Sequence, residues 1–207
     1  MKDNDRTSTR VVGTEAQARQ IADAAARLAA RRQRDAMPHR INTPRLVLRA
    51  PIRGDVPDLV MLANNKAIAA KLSRLPSPYT RADGVAFVEI FAQRADERPY
   101  AITLGDRMIG VVGLTLISGK PAELGYWLGE PYWGKGYMSE AVKALLNAVF
   151  ETKLFPELQA RALADNAASL RVLEKSGFVR TGEVVEGAGT HAGKPVVLLR
   201  AEPPRWL

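Results

Sequence analysis

Between Glu123 and Val149 the hydrophobic pattern changes its period, and this change restricts the fold more than any other feature of the chain. Glu123–Leu128 (ELGYWL) reads as a strand, whereas Met138, Val142, Leu145, Leu146 and Val149 recur at helical spacing. Gly134 and Gly136 stand at the join. The segment is strand, glycine-bearing turn and helix in immediate succession, a unit that belongs to a sheet flanked by helices.

The other segments fit around this unit. Thr43–Arg49 (TPRLVLR) alternates apolar and polar residues and predicts a strand. Asp55–Leu72 reads as helix, broken near Asn64-Asn65, and Arg81–Arg94 as a second helical region after the loop Leu75-Pro76-Ser77-Pro78. Tyr100–Leu104 and Met108–Leu116 are strands around the turn Gly105-Asp106-Arg107. Leu158–Ala162 is a strand, and Ala167–Ser176 is a helix closed by Gly177. Val179–Val185 and Pro195–Ala201 flank a glycine-rich loop and predict a hairpin. There is no internal repeat. The order predicts an α+β fold with a mixed, largely antiparallel central sheet.

Residues 1–40 differ from the rest. They hold nine Lys/Arg and five Asp/Glu, and so carry +4 of the net +8. Met1–Gly13 are polar and expected to fray. Thr14–Arg34 is rich in Ala and Arg and predicts a helix. Its large apolar residues are Ile21 and Leu28, one heptad apart, so it is expected to pack loosely on the body or on a partner. Arg27, Arg31, Arg32 and Arg34 suit its C-terminal dipole and read as a solvated face rather than an RNA contact. The expected organisation is a basic, partly helical extension over 1–40 and a body over 41–207, with a chain starting near His39 able to fold alone.

The absence of Cys excludes disulfides, iron–sulfur clusters, thiolate zinc sites and a cysteine nucleophile. Two distant histidines, His39 and His191, make no metal site. No apolar run approaches the length of a membrane span, and residues 1–30 lack the core of a secretory signal. A cytoplasmic protein without a membrane partner is expected.

Two segments carry chemistry. In Tyr132-Trp133-Gly134-Lys135-Gly136-Tyr137-Met138 a helix N-terminus presents unpaired N–H groups, glycines admit close backbone approach, and Lys135 adds a positive charge. Alone, this is equally a phosphate-binding turn or a tight strand-to-helix connection; it is neither a Walker loop nor a dinucleotide fingerprint. In Asn166–Phe178, Asn166 can cap a helix with Ser169 at its third position, which explains that segment by itself.

Together, TPRLVLR, YWGKGYMSEA and the run NxxSxxVLEKSGF give a chain that resembles the GNAT superfamily of acyl-CoA-dependent N-acetyltransferases over residues 41–202. Within it, the chain is similar to the branch containing ribosomal-protein N-terminal acetyltransferases. The resemblance implies a sheet splayed at its fourth strand, where Glu123–Leu128 leaves Leu158–Ala162. It implies acetyl-CoA as cosubstrate, with pantetheine in that gap against the backbone of Trp127 and Leu128. The pyrophosphate would rest on backbone N–H groups from Gly134 through Gly136 and Tyr137 to Met138, with Lys135 nearby, and Asn166 and Ser169 would line the other wall. Two positions depart from the family pattern. Pro131 stands where the phosphate loop often has Gln or Arg, and Pro supplies no N–H. Leu173 stands where many members carry the Tyr that protonates the thiolate, leaving Ser169 and Tyr137 as the hydroxyls at hand.

Acetyl transfer to an amine needs an oxyanion donor, for which the Leu128 backbone N–H is the candidate, and a route for the amine's proton. Strand parity places Glu123, Gly125 and Trp127 on one face, so Glu123 is either the base or a solvated strand-end residue. Without Cys, direct attack in a ternary complex is expected. His191 reads as a mobile turn residue. The expected function is acetyl transfer to a primary amine, either a protein N-terminus (a ribosomal protein among the candidates) or a small molecule. It would be carried out by a monomer or homodimer, without metal or nucleic acid. The alternative is a non-catalytic acyl-CoA-binding module docked on RNA or a protein through its basic helix.

Overall fold

In the computed structural model, which describes residues 6–117 and 119–204, the helical and extended segments alternate around one sheet. Its strands are β1 (Arg40–Asn42), β2 (Val47–Arg49), β3 (Glu97–Leu104), β4 (Arg107–Thr115), β5 (Ala122–Leu128), β6 (Leu158–Leu163), β7 (Val179–Val185) and β8 (Pro195–Ala201). They run in the order β1-β2-β3-β4-β5-β6-β8-β7. Every pairing is antiparallel except β5 with β6, which are joined by helix α5 (Tyr137–Glu151). The strand expected to be fourth is therefore the fifth. Thr43–Arg49 does not form one strand: Thr43 Oγ1 accepts from the Leu46 N–H at 2.8 Å and turns the chain, so residues 40–49 make a hairpin.

The apolar stripe read from the sequence becomes the buried face of α5. Met138, Ala141, Val142, Leu145, Leu146, Val149 and Phe150 join one cluster with Tyr100, Ile102, Val112, Leu114 and Leu124 of the sheet. Burying each large side chain contributes about 1.5–3 kcal/mol. On the opposite face, α2 (Val56–Ala63) and α4 (Arg81–Glu89) set Val56, Leu59, Ala63 and Val88 against Ala101, Met108 and Val111. The expected break at Asn64-Asn65 exists because Asn65 Oδ1 accepts from the N–H groups of Ala67 (2.8 Å) and Ile68 (3.2 Å), starting the short helix α3 (Lys66–Ala69). The last helix, α6, spans Ala167–Lys175.

β4 carries one extra residue. Ile102 pairs with Gly110 but Thr103 with Met108, so Ile109 is bulged and the side-chain alternation resets there. Met108 and Val111 thus face α2 and α4 while Ile109 and Val112 face α5. The bulged Ile109 carbonyl accepts from the Gly129 N–H at 2.9 Å and pins the end of β5. At Gly110 a Cβ would lie 2.4 Å from the Trp127 carbonyl oxygen, so only glycine fits this close strand approach.

The N-terminal helix α1 runs over Arg6–Ala36, beginning before Thr14; residues 1–5 lie outside the described residues. Ile21 and Leu28 are about 70% exposed and do not dock it. Its C-terminal end does. Met37 is 1% exposed inside the main core. Arg98, 6% exposed, donates to the carbonyls of Met37 (3.2 Å) and Pro38 (2.9 Å), and Tyr100 Oη donates to Pro38 O at 2.6 Å. Arg34 donates to the carbonyls of Glu97 and Ala92, and Gln33 to that of Leu154. The expected boundary at residue 40 cuts through this anchor, because a polar-looking segment hides one core methionine and two carbonyls that a buried guanidinium needs. A chain starting at His39 should lose at least about 3 kcal/mol, the sum of an emptied Met site and a buried Arg98 left without its two carbonyl acceptors. A chain starting at Ala29 should unfold like the full protein. Chemical denaturation of the three chains checks both.

Candidate active site

β5 and β6 are registered only at Ala122–Leu158, Glu123–Gln159 and Leu124–Ala160, after which they diverge. On its other edge β5 remains paired with β4 from Glu123 to Leu128. The Gly129-to-Ile109 bond sets the phase of that antiparallel ladder: Glu123, Gly125 and Trp127 direct their N–H and C=O groups to β4, and Tyr126 and Leu128 direct theirs into the gap. The Leu128 carbonyl accepts from Trp133 Nε1 at 2.6 Å. The Leu128 N–H therefore points into the gap. The Trp127 backbone does not; ladder phase turns it toward Val111, and the residue contributes its indole instead. Tyr126, which the sequence reading passed over, provides the second backbone position in the gap.

Beyond β5, the chain makes a short 3-10 turn over Glu130–Tyr132 and enters α5 through Gly134 (φ 73°) and Gly136 (φ 79°). Both occupy the left-handed region that glycine tolerates. Gly136 is the N-cap and supplies no side chain, and the first helical bond is Glu140 N–H to Gly136 O at 3.1 Å. The N–H groups of Tyr137, Met138 and Ser139 consequently have no partner within the helix, and all three residues line the cleft. Lys135 is turned back: its Nζ donates to the Pro131 carbonyl at 2.9 Å and lies 5.9 Å from the Tyr132 ring centroid.

The opposite wall is the start of α6. Asn166 Oδ1 accepts from the Ser169 N–H at 3.2 Å and caps the helix, so the role explained by helix chemistry is the one its oxygen has. Ser169 Oγ lies 2.8 Å from Tyr126 Oη, which also donates to the Ser169 carbonyl at 3.1 Å. Burial pushes the Tyr126 phenol up to about 12 despite the opposing Ser169 bond, so it stays protonated through neutral pH. The phenol on this wall of the cleft comes from the splayed strand, at Tyr126.

On the α2–α4 face a row of polar side chains crosses four strands in register: Glu97, Thr115, Glu123 and Gln159. Gln159 Nε2 donates to Glu123 at 3.3 Å. Glu97, 5% exposed, accepts from Thr115 Oγ1 at 3.0 Å and pairs with Arg74 at 3.3 Å. Burial raises its pKa, with the Thr115 bond and Arg74 opposing. Next to this row Gly113 and Gly125 face one another and leave a bare shelf, bounded beyond by Val111 and Trp127. No β-bulge interrupts β5, so Glu123, Gly125 and Trp127 share this face as parity predicted.

The gap and the shelf open into one cleft of about 1240 Å³. Its rim is tied by two contacts from the end of α3: Lys71 pairs with Asp165 at 2.9 Å, holding that carboxyl low, and the Ala70 carbonyl lies 3.2 Å from His191 Nε2. His191 is buried, not a mobile turn residue, because its loop folds back over the cleft. Among the described residues no group of His, Asp and Glu could hold a metal ion, and no helix is long and apolar enough to cross a membrane.

Residues 45–179 match the acetyltransferase (GNAT) domain model. A ribosomal-protein-serine acetyltransferase of Escherichia coli (strain K12) is 32% identical over 92 residues, 44% of this chain and 51% of that protein. The uncharacterised N-acetyltransferase YoaA of Bacillus subtilis (strain 168) is 25% identical over 149 residues, 69% of this chain and 84% of that protein. The chain spans about half the length of the first curated relatives it matches, 44–51%. Among solved structures, the ribosomal alpha-N-protein acetyltransferase RimL in complex with coenzyme A superposes with a TM-score of 0.71 at 25% identity, covering 79% of this chain and 97% of that one. The self-immunity acetyltransferase MccE, in complex with acetyl-CoA and AMP, shares the fold with a TM-score of 0.70 at 21% identity, over 77% of this chain and 93% of that one. With residues 45–179, more than half of the chain, matched by that domain model, the chain belongs to the GNAT acetyltransferase family.

Proposed function

We propose that this protein transfers an acetyl group from acetyl-CoA to a primary amine, with a protein N-terminus, that of a ribosomal protein included, as the first acceptor class and a small-molecule amine as the second. The observation that carries this reading is the continuity of the opened β5 edge: it runs from the uncapped start of α5 to the glycine shelf beside Glu123. The relatives named for ribosomal proteins support the acceptor class.

The residues fit the cofactor. The N–H groups of Tyr137, Met138 and Ser139 and the positive end of α5 suit a pyrophosphate, and Gly134 and Gly136 let backbone approach it closely. The N–H of Leu128, with that of Tyr126 beside it, suits the amides and carbonyl of an extended pantetheine arm. When bound, acetyl-CoA supplies the thioester whose acetyl group the amine takes. Glu123, held by Gln159 at the edge of the shelf and five residues from Leu128 along β5, accepts the amine's proton through water. The Leu128 N–H stabilises negative charge that develops on the acetyl oxygen. Ser169, oriented by Tyr126, offers a hydroxyl proton to the departing sulfur.

Two experiments test these assignments. At a hundredfold excess over its dissociation constant, coenzyme A should stabilise the protein by about 2.7 kcal/mol. Gly136→Val, which forces a branched side chain to a φ of 79°, should abolish most of that ligand-induced melting shift whatever it does to the ligand-free Tm. An undiminished shift would remove the turn from the cofactor site. With a working amine acceptor, Glu123→Gln should lower turnover by about 10²–10⁴-fold near neutral pH. Because an α-amine is largely protonated below about pH 7.7–8 and neutral above it, the deficit should shrink as pH rises through that range. Ser169→Ala should cost less, since a thiolate leaves readily. Wild-type turnover by Glu123→Gln at neutral pH would exclude Glu123 as the base.

A further inference from the structure

The hairpin loop Thr43–Leu46 touches the turn before α5 from behind, through side chains that the reaction scheme above leaves unused. Arg45 Nη1 donates to the Lys135 carbonyl at 3.0 Å, and its Nε donates to Glu140 Oε2 at 2.6 Å. The guanidinium carbon also lies over the Tyr137 ring, 4.6 Å from its centroid. The other Glu140 oxygen accepts from Thr43 Oγ1 (2.6 Å) and from the Arg45 N–H (3.0 Å). Lys135 of the turn and Tyr137 and Glu140 of the first turn of α5 are thereby held by two residues of one loop.

Two consequences follow from elementary geometry. In a trans peptide the C=O and N–H point in opposite directions. With the Lys135 carbonyl drawn to Arg45, the Gly136 N–H points away from Arg45; Gly136 lines the cleft. Second, Glu140 stands in the first turn of α5, beside the N–H groups that would meet an anion. Although burial opposes it, the Thr43 and Arg45 bonds keep this carboxyl low and hence ionised, so its charge would repel a phosphate unless cancelled. Arg45 cancels it in place. Pro131 offers no side-chain donor to this turn, and Lys135 is engaged with the Pro131 carbonyl, so the task falls to a residue far away in sequence.

Resting on the reading of the cleft as an acetyl-CoA site, we propose that Arg45 is a positioning residue for the pyrophosphate: it orients the Lys135–Gly136 peptide and neutralises Glu140, without itself belonging to the cleft wall. Its effect is then confined to donors that possess a pyrophosphate. Lysine cannot replace it, because one ammonium cannot bond Glu140, reach the Lys135 carbonyl and cover the Tyr137 ring together.

The test compares acetyl-CoA with S-acetylpantetheine, which carries the same thioester and arm but no pyrophosphate, using the full-length protein and one amine acceptor. Arg45→Lys and Arg45→Met should each lower the ratio of kcat/KM for acetyl-CoA to kcat/KM for S-acetylpantetheine by roughly ten- to hundredfold, the size of a lost charge-assisted contact. Glu140→Gln, which keeps the packing and frees Arg45, should lower the same ratio less, and its effect should not add to that of Arg45→Lys. An unchanged ratio, with both donors weakened in parallel, would mean that Arg45 only supports the fold and would overturn the proposal. Should wild type use neither donor and bind no coenzyme A in calorimetry, the reading of the cleft falls, and this role with it. Coenzyme A binding by wild type that Arg45→Lys leaves unaltered would overturn the role of Arg45 alone.

Discussion

The site exists because one hydrogen-bond ladder stops. β5 and β6 share three registered positions and then part, while the outer edge of β5 stays bonded to β4 as far as Gly129. Backbone groups that face a cleft without partners are costly unless a neighbour or a ligand satisfies them. The protein satisfies the Leu128 carbonyl itself, through the Trp133 indole, while α6 meets the Tyr126 side chain rather than its backbone. What is left over is directional. A strand anchored on one edge and open on the other holds its remaining N–H groups in fixed positions, which a flexible loop would not.

The cleft is also polarised along its length. One end carries the uncapped start of α5, where the helix dipole is positive. The other carries Glu97 and Glu123, separated on the sheet by Thr115, or roughly 10 Å at about 4.8 Å per strand. An elongated ligand with an anionic end therefore has one preferred direction of entry. Burial keeps the field effective in the interior, and the two ties at the rim, Lys71–Asp165 and Ala70–His191, bring residues from three separate loops together above it.

Local pattern revealed those parts whose cause is local. The α5 stripe, the glycine turn, the helix break at Asn65 and the shared face of Glu123, Gly125 and Trp127 all follow from periodicity or from a single side chain. The parts that stayed hidden depend on distant partners. Tyr126 and Trp127 are neighbours in one strand, and only the phase of the β4 ladder decides which turns its backbone into the gap. Glu97 stands three residues before the point where its strand was expected to begin, and nothing in the local pattern announces that Thr115 and Arg74 converge on it. Met37 reads as part of a polar extension because the core it fills comes from β3 and α5. Arg45 reads as one polar tooth of an alternating strand, whereas Thr43 turns the chain and sends it to α5.

The row formed by Glu97, Thr115, Glu123 and Gln159 has a further meaning for how the molecule matures. Its four members come from β3, β4, β5 and β6, so the row closes only when three separate pairings have found their register. A slip of one residue in any of them would send that strand's member to the α5 side of the sheet. Misaligned intermediates would thus lack the carboxylate end of the cleft altogether rather than possess a weakened version of it. A chain that displays the polar row has therefore paired its four central strands in register.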